Sequence, residues 1–310
     1  MNIRLERTAV QAEVAELEEL LASVPEDDVV GRIGLEARRD ELQALLEQLG
    51  QREQRTASVA LYFGGKPVVG TVGIQAEFAG EMIATYQDLI TKVWASADTD
   101  LAARGPVPFK RGADLHVTGI VHGSVGFLLE EIDEAGEPLF ETPLRQAAAA
   151  ATDLLLHFAD ENDRSFEQAI ETVSPRVFSS LRSFFEFVHR DEAVLRVVEG
   201  EHDRLFDRTA IERAYRRIEA SNVDEEMYAA EGELLGVIPI GRRFEFQTAE
   251  GIISGKVGLK FSQSYVERVS QEQFAGRRWR ALFHRREVQK LGRKTISYVL
   301  ENLEDLSAQK

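Results

Sequence analysis

The hydrophobic repeat of the first fifty residues decides what this part of the chain can become. Val10, Val14, Leu17, Leu21 and Val24 follow one another at steps of four, three, four and three. That is the spacing of a coiled-coil seam, which lies along one stripe of an α-helix. Pro25 cannot continue a helix, and Pro25-Glu26-Asp27-Asp28 is followed by Gly31 and Gly34, which loosen the turn. A second stripe then forms from Leu35, Leu42, Leu45 and Leu49. Helices of two or three heptads are marginal alone in water, so the two stripes must be covered. Either they cover each other in an antiparallel hairpin, or they dock on a partner. On the second alternative Val10, Val14, Leu17, Leu21, Leu35, Leu42 and Leu49 are the oligomerisation residues.

Beyond residue 55 the repeat shortens to two, the period of a strand. Val59, Leu61 and Phe63 alternate, Gly64-Gly65 offers a turn, and Val68, Val72 and Ile74 return, so the segment reads as a β-hairpin. Phe78, Met82, Tyr86, Leu89 and Val93 form a helical stripe, and residues 96–113 read as a long irregular segment. A second hairpin is expected over about 114–132, turning at His122-Gly123-Ser124. Thr142-Pro143 and Ser174-Pro175 each place a capping hydroxyl before a proline at the first helical position. Ser165-Phe166-Glu167-Gln168 reads as a capping box, Val194, Arg196 and Val198 as a short strand, and Thr209 with Glu212 as a further cap.

The polar, acidic stretch 220–231 reads as a boundary. After it come strand patterns at 233–239, 242–248 and 252–257, a helix at about 260–273, and strands at 277–288 and 294–302. Thr248-Ala249-Glu250-Gly251 is good hairpin chemistry. The order β-β-β-α-β-β is that of a small β-barrel, OB-like or SH3-like. The expected fold is therefore an α+β multidomain chain: a helical hairpin over 1–55, an α+β domain with antiparallel hairpins over 56–222, and a small β-barrel over 223–310. A chain of 310 residues is too long for one ordinary core, which agrees with several units.

Charge narrows the function. The formal net charge is −16, yet Arg277–Lys294 holds eight basic residues against the single acid Glu287, leaving −23 for the rest. Such a stretch seeks an acidic surface, of the chain itself or of a protein partner, or a nucleic acid. Trp279 and Phe283 interleave with Arg278 and Arg280, the mixture of cations and stacking platforms that single-stranded nucleic acid uses. Alternation puts Trp279, Ala281 and Phe283 on one face, which also fits an inward-facing core. The candidate anion-binding residues are Arg277, Arg278, Arg280, Arg285, Arg286, Lys290, Arg293, Lys294 and Trp279. The acidic total opposes adhesion to nucleic acid or membrane at long range.

The chain has no cysteine, which excludes disulfides, thiol catalysis and cysteine-ligated metals. Its first residues turn charged too early for a secretory signal and no apolar run is long enough for a bilayer, so a cytoplasmic location is expected. The six histidines lack the HExxH spacing. Gly64-Gly65-Lys66 and Gly119 to Gly126 match neither phosphate-loop pattern, and His122 stands where a nucleophile elbow needs glycine before Ser124. No catalytic residue, metal site or cofactor is assigned. The expected function is a non-enzymatic oligomerising scaffold or accessory subunit of a larger bacterial assembly, such as an anti-phage defence system. It would contact an acidic partner through the basic strand and form homo-oligomers through the hairpin. The alternatives are a nucleic-acid or nucleotide-binding module built on the barrel, and an enzyme with an unfamiliar site.

Overall fold

The computed structural model describes residues 2–25, 28–98, 110–120, 125–132, 136, 138–263, 265–267, 277–290 and 292–306. The expected turn at His122-Gly123-Ser124, most of the irregular segment 96–113 and the end of the helix expected over 260–273 lie outside them. The chain divides into two compact units: Met1–Leu101, Pro106–Phe166 and Ser180–Tyr215 form the first, Glu167–Ser179 and the chain from Arg216 onward the second. The hairpin expected as a separate domain thus groups with the α+β domain, and the main division falls at residue 215 rather than 222.

In the first unit, α1 (Ile3–Ser23) and α2 (Val29–Gln51) form an antiparallel helical hairpin. Asn2 caps α1, its side chain accepting from the Leu5 amide and donating to the Ser58 carbonyl at 3.1 Å. Asp28 caps α2 by accepting from the Gly31 amide at 2.9 Å. Val10, Val14, Leu17, Leu42 and Leu49 make one buried cluster, with Leu35 and Leu45 packed against it, and Leu21 is also buried. The residues named for oligomerisation therefore face the other helix of their own chain. The apolar residues left in water lie at the tip: Leu20, Val29, Val30 and Ile33.

The sheet of this unit runs β4-β5-β1-β6-β7, formed by β1 (Ser58–Gly65), β4 (His116–Ile120), β5 (Val125–Glu130), β6 (Ala193–Glu199) and β7 (His202–Phe206). β1 is central and buried on both faces, antiparallel to β5 and β6. This corrects the first expected hairpin. Gly64-Gly65 does not turn the chain but extends β1 alongside Val194 and Ala193. Gly65 has φ +83°, and a Cβ there would meet the Glu192 carbonyl oxygen at 2.3 Å. Val68 and Ile74 instead pair in a two-residue ribbon of β2 (Val68–Val69) and β3 (Gly73–Ile74). The β4–β5 pairing agrees with the second expected hairpin. Helices α3 (Ala76–Asp98) and α4 (Pro143–Ala159) contribute buried Met82, Tyr86, Leu155 and Phe158. Thr142 caps α4 as expected, accepting from the Arg145 amide at 3.1 Å.

Helices α5 (Asp163–Thr172) and α6 (Pro175–Arg190) each contribute to both units. Ser165 lies inside α5, whose start is held by Asn162 accepting from the Arg164 amide, so the capping box is not used. Asp207, not Thr209, caps α7 (Arg208–Glu219) by accepting from the Ala210 amide at 2.8 Å.

The second unit holds β8 (Ser221–Ile238), β9 (Arg243–Thr248), β10 (Ile252–Val257), β11 (Arg278–Lys290) and β12 (Arg293–Asp305). β8, β9 and β10 pair antiparallel in sequence, β11 pairs antiparallel with β8 and β12, and β10 pairs parallel with β12. The chain of pairings returns to its start. Phe283 lies at the centre of the core, 5.3 Å from the Phe244 ring and 5.5 Å from the Phe246 ring. The acidic stretch read as a boundary is the first half of β8, which pairs with β11 from Ser221 to Glu233. Glu225, Glu226 and Glu231 are tolerated in a strand because arginines stand across from them.

Candidate binding face

The basic stretch sits on β11 and the start of β12, and the side chain of Arg280 lies 2.8 Å from Glu231. Arg285 pairs with Glu226 and with Glu287, and Arg286 pairs with Glu225. Arg286 also donates to the Ile170 and Val173 carbonyls at 3.0 and 2.6 Å, and Lys290 lies 3.1 Å from Glu171. Arg277 pairs with Asp305 at 3.6 Å. Lys294, 2.7 Å from Glu287, holds that carboxyl below the usual carboxylate range. The acidic counterpart of the basic strand is thus largely β8 and α5 of the same chain. Arg278 and Arg293 are exposed, and among the described residues no ion pair to either is formed. Trp279 is only 5% exposed and belongs to the core with Ala281 and Phe283, so it offers no ring for stacking. The strand alternation that turns Arg278 and Arg280 outward turns Trp279 inward.

A different face of this unit has the form of a site. β10 and β12 are paired only at Lys256↔Val299 and Val257↔Leu300. Below that point they diverge, and a groove of about 660 Å³ opens, bounded by Ser254 and Lys256 on one side and Ile296 and Tyr298 on the other. β9 extends it with Arg243 and Glu245, and β8 with Ile238. Gly255 lets β12 come close: a Cβ there would sit 2.1 Å from the Tyr298 carbonyl oxygen.

The electrostatics of the groove are uneven. Arg243 and Lys256 are cross-strand partners on the exposed face of β9–β10. Two like charges directly opposite each other destabilise a sheet. Among the described residues neither forms an ion pair, and Glu245, two residues along β9, lies opposite Ser254 instead. The neighbouring Arg242 is used up structurally. With φ +48° it donates to the Gly258 and Phe261 carbonyls, both at 2.7 Å, and fixes the β8–β9 connection. Ile238 and Ile296 line the same groove and stand exposed. Sequence reasoning passed over Arg243 and Lys256 because they lie in separate strands with no local cluster. The Thr248–Gly251 turn was nevertheless legible, and counting back from it sets Arg243 opposite Lys256.

The other constellations stay local. His189 lies 2.6 Å from Glu212 and stacks on Tyr215 with ring centroids 4.1 Å apart, beside a cavity of about 130 Å³. His202 lies 3.3 Å from Asp153. Among the described residues no three His, Asp or Glu side chains are grouped as metal ligands. No helix among them is long and apolar enough to cross a membrane. No protein-family model, curated protein or solved structure matches the chain.

Proposed function

We propose that this chain is a non-enzymatic adaptor, an accessory subunit of a larger assembly, whose C-terminal unit binds an acidic, apolar segment of a partner protein on the face formed by β9, β10 and β12. The unit is read as a small β-barrel of OB type. Counting β8 to β12 as strands one to five, the neighbour order is 1-2-3-5-4 with strands three and five parallel, the arrangement of that fold. OB-folds bind ligands on strands two and three and their flanking loops, here β9 and β10.

The observation that carries this proposal is the unanswered pair Arg243 and Lys256. A carboxylate placed between them relieves their repulsion and gains a charge-assisted contact with each. The exposed apolar residues lining the same groove are isoleucines, which pack against aliphatic side chains. Bases of single-stranded nucleic acid want aromatic platforms instead, and Trp279 is buried. The contact is therefore assigned to β9–β10–β12 in place of β11, whose cations are mostly engaged by β8 and α5.

Fluorescence anisotropy tests this with the full chain. The probes are an eight-residue peptide alternating Glu and Val, its Lys-Val counterpart, and a single-stranded oligonucleotide. The Glu-Val peptide should bind selectively, and the double substitution Arg243→Glu, Lys256→Glu should weaken it at least tenfold, about 1.4 kcal/mol. Oligonucleotide binding with a steep salt dependence would establish the nucleic-acid alternative instead.

A further inference from the structure

We infer that the partner segment binds as an added β-strand along the open edge of β12, residues 293–297, pairing its backbone with Lys294 and Ile296. This inference rests on the acidic-segment proposal above and states how that segment is held. β12 pairs with β11 over its whole length, but on its other side only Val299 and Leu300 are paired with β10. From Arg293 to Ser297 that side has no strand neighbour among the described residues. An open edge presents a row of unused N–H and C=O groups, the template for strand addition.

Parity identifies the groups. The Tyr298 carbonyl is turned toward β10, since a Cβ on Gly255 would lie 2.1 Å from its oxygen. In an antiparallel pair, alternate residues turn their backbone groups to the same side. Lys294 and Ile296 therefore share the groove side with Tyr298, while Thr295 and Ser297 point to β11. The groove lies on this edge, and Arg243 and Lys256 stand at its end. A further edge without a partner strand among the described residues, β8 from Ser221 to Glu231, carries Asp224, Glu225 and Glu226, with Glu225 and Glu226 already paired to Arg286 and Arg285, and does not favour an acidic strand.

The test uses the full chain and the Glu-Val peptide. Ile296→Pro removes one groove-side N–H without touching the β11 ladder, and edge strands accept proline. It should weaken binding at least tenfold, whereas Ile296→Ala, which keeps the N–H, should change it less than about threefold. Equal effects of the two substitutions in folded protein would overturn strand addition. If Ile296→Pro does not fold, the wild-type chain is titrated with peptides N-methylated at alternate residues. Methylation in one phase should abolish binding and in the other leave it intact; tolerance of both phases would overturn the inference. Loss of binding in the Arg243→Glu, Lys256→Glu protein alone leaves the acidic-segment proposal standing and removes strand addition. No binding of the acidic peptide up to roughly 1 mM removes both. A self-associating chain whose dimer is broken by Ile296→Pro would assign the edge to a second copy and overturn the partner named here.

Discussion

Gly255 is the residue on which the groove most directly depends. A side chain there collides with the Tyr298 carbonyl, a backbone atom that cannot swing aside, and approaches the Phe244 ring to 3.0 Å. Gly255→Ala should therefore destabilise the second unit by roughly 2 kcal/mol or more, as overpacking does, seen as a lower midpoint in thermal or urea unfolding; an unchanged midpoint would mean that β10 and β12 are not held this close. Glu199 in the first unit is a buried carboxylate, 2.5 Å from Arg145. Burial pushes its pKa above the ordinary value, and the attraction of Arg145 only partly offsets this. As pH rises through the carboxylate range, the unfolded chain loses this proton before the folded one, so the folded state loses stability relative to the unfolded. Wild type should thus lose stability relative to Glu199→Gln between about pH 4 and neutrality, and a difference independent of pH would refute the shift. The sign is opposite for Asp203, held below its usual range by the paired Arg196 guanidinium: its contribution is present above the usual aspartate pKa and disappears as pH falls through the lowered value.

Among the elements, the helical hairpin was the most legible, because heptad spacing fixes both the helix and its buried stripe. What the spacing cannot contain is the identity of the covering surface, since the same stripe fits a neighbour helix or another chain. Leu42, 2% exposed against α1, decides it. Leu42→Ala should cost about 2–4 kcal/mol of stability with no change of solution mass by light scattering; dissociation of an oligomer at unchanged stability would contradict the intramolecular packing. The β8–β11 pair was read less well. Acidic residues are poor strand formers, so 220–231 resembled a linker. Their presence in β8 depends on arginines some fifty residues later, a long-range match that no local window contains. The same match explains why the basic strand, so prominent in the sequence, is largely neutralised: Glu225, Glu226 and Glu231 each meet an arginine across the ladder. Gly64-Gly65 failed as a turn signal for a related reason. Gly65 serves a close approach to the start of β6, which propensity alone does not distinguish from a turn.

For the whole molecule, the balance of −16 combines engaged and unengaged charge. Counting cations along the sequence pointed to β11, whereas the unanswered pair is Arg243 and Lys256, one from each of two strands. Element order was enough to suggest a small barrel; the parallel β10–β12 contact and the gap beneath it needed coordinates. The overall acidity keeps polyanions at a distance, so a short acidic segment must gain its affinity at close range, from two cations, apolar side chains and a strand edge. Hydrogen exchange of the full chain with and without saturating Glu-Val peptide locates that contact. Slowed exchange confined to residues 252–256 and 293–297 is the expected result. Protection centred on 278–286 of β11, or none in the second unit, would contradict the assignment of the binding face.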